Sequence, residues 1–181
     1  DVPVKRSMDS KGFVNIMYGC DKFCTYCIVP YTRGRERSRR MEDILREVEE
    51  LKASGRKEVV LLGQNVNAYG KDLKMEDGFT QLLVAVAKTG IERISFYTSH
   101  PRDYSETTID AMRDYPNIMP FLHLPVQSGS NEVLRRMARG YTVERYKQLY
   151  DNLKKKVPHI AFTTDLIVGF PNETDEEFEA T

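Results

Sequence analysis

Phe13-Val14-Asn15-Ile16-Met17-Tyr18-Gly19-Cys20-Asp21-Lys22-Phe23-Cys24-Thr25-Tyr26-Cys27 is the stretch that decides how this chain is read. Its first part is apolar enough for a short strand over 13–17. Its second part holds all three cysteines of the protein within eight consecutive residues. An odd number of thiols at this spacing is a poor disulfide framework, and residues 1–6 (Asp-Val-Pro-Val-Lys-Arg) have no apolar core of a secretory signal. A reducing, cytoplasmic setting is the expectation. The absence of an initiator Met makes the chain read as cut from something longer. Three thiolates on one short loop can wrap one face of a soft-metal site. Structural zinc wants four Cys or His ligands, and the nearest histidine, His100, is far along the chain. A 4Fe–4S cubane normally takes four thiolates, so three would leave one iron open to another ligand. Inert packing of three small side chains fits badly, because Asp21, Lys22 and Thr25 make the loop polar.

Outward from this loop, apolar stretches alternate with helical patterns. Met41, Ile44, Leu45, Val48 and Leu51 recur on one face of a helix over 40–54, with Gly55 just past its end. Residues 58–62 form an almost wholly apolar run, as buried parallel strands do. A second helix contains Phe79, Leu82, Leu83 and Val86 and closes at Gly90; a third strand spans 91–97. Ser105 can cap a helix through Asp114, and a fourth strand over 118–124 is made irregular by Pro120. Ser130 and Thr142 can cap two more helices, and a fifth strand covers 160–168. Thr174 and Glu177 have capping-box spacing for a last helix. Five strands alternating with helices imply right-handed crossovers and a mainly parallel α/β sheet. Ligands of such folds sit at the C-terminal strand ends, here 18–40, 63–77, 98–104, 125–129 and 169–173.

The chain has 181 residues with 27 Lys+Arg against 27 Asp+Glu, so a globally basic nucleic-acid binder is not supported. No run of 18 apolar residues is present, so no membrane partner is expected. Charge is locally uneven. Residues 33–40 carry five Arg and one Glu, and their place at a strand end singles out Arg33 and Arg35 for contact with RNA or with a bound anion. The remaining arginines of that stretch can pair with Glu42, Glu47, Glu49 and Glu50, and the basic residues of 135–156 read as a solvated helix face. Gln64, Asn65 and Gln127 are candidate polar contacts at strand ends, with a plain turn or loop amide as the alternative for each. Val168, beside Gly169, can offer its backbone to a ligand. His100 and His123 read as structural groups, and no side chain is assigned as catalytic.

Cys-x-x-x-Cys-x-aromatic-Cys on the loop after the first strand of a βα series resembles the radical S-adenosylmethionine (SAM) superfamily. Residues 19–39, 61–69 (Leu-Leu-Gly-Gln-Asn-Val-Asn-Ala-Tyr), 98–101 (Thr-Ser-His-Pro), 122–130 (Leu-His-Leu-Pro-Val-Gln-Ser-Gly-Ser) and 164–171 (Thr-Asp-Leu-Ile-Val-Gly-Phe-Pro) resemble its methylthiotransferase branch, most of all the MiaB-type tRNA enzymes. The resemblance implies a partial (β/α) barrel of parallel strands, here ending before its sixth strand. It implies that Cys20, Cys24 and Cys27 hold a 4Fe–4S cluster whose open iron is chelated by SAM. It places Tyr26 near the SAM adenine, Gln64 or Asn65 near the SAM ammonium where other members have Glu, and Gln127 and Val168 near ribose and adenine. One electron, from a reductant such as flavodoxin or ferredoxin, then cleaves SAM to methionine and a 5′-deoxyadenosyl radical; that chemistry belongs to the cofactors. The implied reaction is methylthiolation of C2 of N6-isopentenyladenosine beside the tRNA anticodon. Sister enzymes act on threonylcarbamoyladenosine in tRNA or on a ribosomal protein, and a non-enzymatic metal-binding module is the alternative outside the family. Members also carry an N-terminal domain with a second 4Fe–4S cluster and a C-terminal tRNA-binding barrel, so residues 1–181 read as the radical SAM core alone.

Overall fold

The computed structural model describes residues 10–181; the reading of residues 1–6 lies outside the described residues. The frame is a parallel sheet in which β4 (Glu58–Leu62) is central, with β1 (Lys11–Asn15) on one side and β5 (Arg93–Phe96) on the other. Val59 pairs with Gly12 and Ile94, and Leu61 with Val14 and Phe96. Val59, Val60 and Leu61 are all fully buried, which is why β4 reads as an unbroken apolar run rather than an alternating one. β1 does alternate: Gly12 and Val14 are buried while Phe13 and Asn15 are exposed. Helices α2 (Met41–Ala53), α3 (Gly78–Lys88) and α4 (Glu106–Asp114) form the crossovers, and Ile44, Val48, Leu51, Leu82, Leu83, Val86 and Ile109 enter one core with the strands.

Pro120 sets the next join. Residues 117–119 run beside β5, with Ile94 N–H donating to Asn117 O (2.8 Å) and Met119 N–H to Ile94 O (2.9 Å). Pro120 has no N–H to give, so the ladder stops and restarts as β6 (Phe121–His123), which pairs in parallel with β7 (Ala161–Thr163). The irregular fourth strand expected from Pro120 is therefore present. The fifth strand differs from the 160–168 expectation: regular pairing ends at Thr163, and only a bridge between Gln127 and Leu166 follows. The reason is local. Thr164 Oγ1 accepts from Val126 N–H (2.9 Å) in place of a backbone carbonyl, and Gln127 turns left-handed at φ 72°.

The caps read from the sequence are made. Ser105, Ser130 and Thr142 each accept from the backbone N–H three residues on, opening α4, α5 (Asn131–Arg136) and α6 (Val143–Lys156). Thr174 and Glu177 close a reciprocal capping box at α7 (Asp175–Ala180). Two antiparallel residue pairs, β2 (Met17–Tyr18) with β3 (Arg37–Ser38), form a short hairpin not foreseen from the sequence; within it lies α1 (Val29–Arg33).

The end of α7 rests on the loop after β6. Gly129 N–H donates to Thr181 Oγ1 (2.9 Å), and a Cβ at Gly129 would stand 2.3 Å from Ala180 O. Gly129→Ala is expected to force α7 off this loop at a cost of about 1–3 kcal/mol. Hydrogen exchange of amides 175–181 checks it, and unchanged protection there would refute the docking.

Candidate functional site

The three cysteines lie on the arch of the β2–β3 hairpin, at the C-terminal end of β1. The arch starts at Gly19, whose φ of 75° brings the chain against its returning arm: a Cβ there would lie 2.1 Å from Arg35 O, so only glycine fits. Cys20 N–H then donates to Gly34 O (3.1 Å), and Cys27 N–H to Cys24 O (2.9 Å), closing a tight turn around the second cysteine. All three are free thiols; Cys24 is buried and the other two half-buried. Burial pushes the Cys20 thiol up, an effect partly offset by the Lys22 backbone N–H and reinforced by Glu36 and Cys24. Burial likewise pushes the Tyr26 hydroxyl up to about 12, with Arg139 opposing and Cys24, Tyr141 and Cys27 adding. Among the described residues, no three His, Cys, Asp or Glu side chains are grouped so as to hold a single metal ion.

The connections after β4 and β5, the returning arm and the end of α5 fasten this arch. From the end of β4, Gln64 Oε1 accepts from Gly19 N–H (2.6 Å). From the end of β5, Asp103 takes Lys22 Nζ at 2.7 Å and Lys71 Nζ at 2.6 Å, and accepts from Asn65 Nδ2 at 2.6 Å. Burial alone would raise the Asp103 carboxyl, but those three donors win and hold it down at about 2. On the returning arm, Glu36 and Asp21 exchange backbone-to-carboxylate bonds (3.3 and 3.2 Å), and burial pushes the Glu36 carboxyl up. From α5, the carbonyls of Met137 and Arg136 accept the Thr25 N–H (3.1 Å) and hydroxyl (3.0 Å).

Of the polar residues singled out from the sequence, Gln64 and Asn65 sit beside the cysteine arch, but Gln64 Oε1 is occupied by it and Asn65 is 2% exposed with Oδ1 unpartnered. Gln127 is buried and spends its backbone on Asp165 and Ile167; Val168 is exposed. Arg33 is exposed in the last turn of α1, and Arg35 Nε pairs with Asp21 at 2.9 Å in an open setting. Arg39 and Arg40 do pair with Glu47 and Glu42, as expected.

The reading of 135–156 as a solvated basic face needs correction. Arg136 is clamped by Glu177 of α7 at 3.0 and 2.6 Å, and Arg139 is only 6% exposed. Arg139 follows α5 on a connection that turns inward, where Nε donates to Tyr141 OH (3.1 Å) and one terminal nitrogen to Cys24 Sγ (3.3 Å). Its guanidinium stands 5.3 Å from the Tyr141 ring centroid, and the His100 ring packs edge-on to Tyr141. Burial pushes the His100 imidazole down to about 3, with Arg139 adding, so it is neutral near pH 7; its Nδ1 accepts from Arg102 N–H, while its Nε2 is buried without a partner. Asp103, Lys22 and Arg139 were not assigned roles from the sequence; the only signal was the strand-end position of the first two.

The sequence model of the Radical SAM superfamily matches residues 14–181. Among named relatives, tRNA-2-methylthio-N(6)-dimethylallyladenosine synthases are similar along the whole chain: 58% identity for that of Bacillus licheniformis and 57% for that of Bacillus subtilis. The chain spans about a third of the length of these relatives, 36% of each. Among solved structures, the radical SAM methyltransferase TsrM of Kitasatospora setae, with tryptophan and a SAM analogue, superposes with a TM-score of 0.74 over 93% of this chain and 32% of its own, at 18% identity. Methylornithine synthase superposes with a TM-score of 0.58 over 92% of this chain and 47% of its own, at 17% identity. At such identities the likeness is one of fold, the partial α/β barrel. The match over residues 14–181 places this chain in the Radical SAM superfamily.

Proposed function

We propose that this chain is the SAM-cleaving core of a tRNA methylthiotransferase acting on C2 of N6-isopentenyladenosine beside the anticodon. The observation that carries the reading is 58% identity across the full length of the chain to an enzyme named for that product. Superfamily membership implies a 4Fe–4S cluster and SAM. The donor set fits a cluster: three free thiols share one arch, no disulfide spends them, and a buried guanidinium stands beside the central one. Cys20, Cys24 and Cys27 would hold it. When bound, cluster and SAM supply the electron transfer and the 5′-deoxyadenosyl radical.

The chain's own residues position and exclude. Gln64, Lys22 with Asp103, and Thr25 hold the arch before any cofactor arrives, so little ordering is left to binding. Tyr26, its hydroxyl kept protonated, offers a flat surface for the SAM adenine. Asn65 Oδ1, buried and unpartnered, is the better of the two amides for the SAM ammonium, because Gln64 is already used. Gln127 and the Val168 backbone are assigned to ribose and adenine. Arg33 and Arg35 stand in the open beside the arch and are assigned to phosphates of tRNA. The reading further assigns a second cluster, which sulfur donation requires, and the main tRNA grip to parts of the longer protein outside 1–181, a flavodoxin- or ferredoxin-type reductant as partner, and the cytoplasm as location. Among the described residues no helix is long and apolar enough to cross a membrane.

Anaerobic reconstitution of this chain with iron and sulfide should give about four Fe per chain and slow reductive SAM cleavage, with no methylthiolation of isopentenylated tRNA by nucleoside mass spectrometry. One zinc per chain and no cleavage would instead support a metal-binding module. Cys24→Ala should abolish both the cluster absorbance and SAM cleavage; cleavage retained by this variant would refute the site.

A pH dependence follows from His100. Its folded value near 3 lies below the unfolded value of about 6.5, so the unfolded chain takes a proton first as pH falls. The stability it contributes is complete above about 6.5 and is lost toward pH 3, by up to about 1.4 kcal/mol per pH unit. Urea unfolding at pH 7 and pH 5 should show His100→Asn losing less than wild type; equal losses would refute the assignment.

A further inference from the structure

We propose that Arg139 is a positioning residue that donates to the Cys24 thiolate and thereby sets the reduction potential of the cluster. The inference rests on the reading that Cys20, Cys24 and Cys27 carry that cluster.

Arg139 is a cation out of water, 6% exposed, and among the described residues no carboxylate pairs with it. An unpaired buried charge is costly unless an anion compensates it. Its neighbours are neutral: the Tyr141 hydroxyl and ring, and the edge of His100 packed on that ring. The one neighbour that can carry a negative charge at its donor is Cys24 Sγ, 3.3 Å away. Lys22 lies within the same arch, but its charge is spent on Asp103 at 2.7 Å. The guanidinium is aimed rather than merely near. Tyr141 OH donates to Val126 O (2.8 Å) at the end of β6, and the same oxygen accepts from Arg139 Nε, fixing the plane of the fork.

A cluster held by three thiolates is anionic and gains one more negative charge on accepting an electron. Hydrogen bonds to its sulfurs and positive charge nearby favour the reduced form and raise the potential. Arg139 stays protonated throughout, so the step is addition of one electron to the cluster from the reductant with no proton moved.

The test is a dithionite titration of the reconstituted chain, followed by the EPR signal of the reduced cluster. Arg139→Gln should lower the one-electron reduction equilibrium at least tenfold, and each factor of ten is about 59 mV more negative. Tyr141→Phe keeps the ring and the fold but loosens the aim of the fork, and should shift it in the same direction by less. Arg139→Lys keeps the charge and should restore part of the loss. A midpoint unmoved in both Arg139→Gln and Tyr141→Phe, with iron content intact, would overturn the inference while leaving the cluster reading in place. If Arg139→Gln does not fold, Tyr141→Phe alone decides. A wild-type chain that binds no iron would overturn both.

Discussion

The loop that carries the three cysteines spends most of its length outside helix and sheet, so its polar groups must be satisfied by other parts of the chain. Among the ion pairs of the described residues, Lys22–Asp103 is the most deeply buried. Both side chains are nearly excluded from water, at 11% and 4% exposure, and Asp103 is also held by Lys71 and Asn65. Breaking such a pair from one side costs about 3–5 kcal/mol, several times the worth of an exposed ion pair. The exposed Arg113–Asp114 and Arg135–Glu132 pairs belong to the weaker kind. Asp103 sits in the turn after β5, so the geometry of the cysteines depends on the register of β5 against β4 and on the short turn that follows it.

The barrel therefore acts as a frame of fixed ends. The chain after β4 sends Gln64, the β5 turn sends Asp103, and the end of α5 sends two carbonyls, all to the arch between β2 and β3. The apolar core supplies rigidity, and the short connections after β4 and β5 carry the polar residues that reach the arch. Parallel strands make this possible, because all their C-terminal ends lie on one side. The two glycines at closest approach, Gly19 against Arg35 O and Gly129 against Ala180 O, mark where arch and last helix are drawn in too tightly for a side chain.

Electrostatics at this end are arranged in opposite senses over a short distance. Asp103 is kept ionised by the ammonium and amide donors that crowd it, whereas His100 is kept neutral by burial beside Arg139. Two groups three residues apart thus carry fixed charge states around neutral pH, and the buried Arg139, which pairs with no carboxylate among the described residues, donates to sulfur. Substitutions in this neighbourhood should be read as changes to a coupled network rather than as sums of single contacts.

Most helix starts, the central strand and the cysteine spacing were legible in the residue order alone. Ser105, Ser130, Thr142 and the Thr174–Glu177 box marked helix starts because capping is local and needs only residues within one turn. The apolar run at 58–62 marked the central strand, Pro120 marked the break beside it, and the three-cysteine spacing marked a candidate site because spacing along one loop survives any tertiary arrangement. Tertiary structure decided the rest. The β2–β3 hairpin has only two residue pairs and no periodicity to read. The shortened β7 follows from the Thr164 side chain replacing a backbone acceptor for Val126, 38 residues away in the chain. Arg139 lies in a stretch whose composition is that of a solvated surface, and only the path of the chain after α5 turns it inward to Cys24, 115 residues away. Charge patterning records how many charges a segment has; which of them loses its water is decided by the packing of segments remote in sequence.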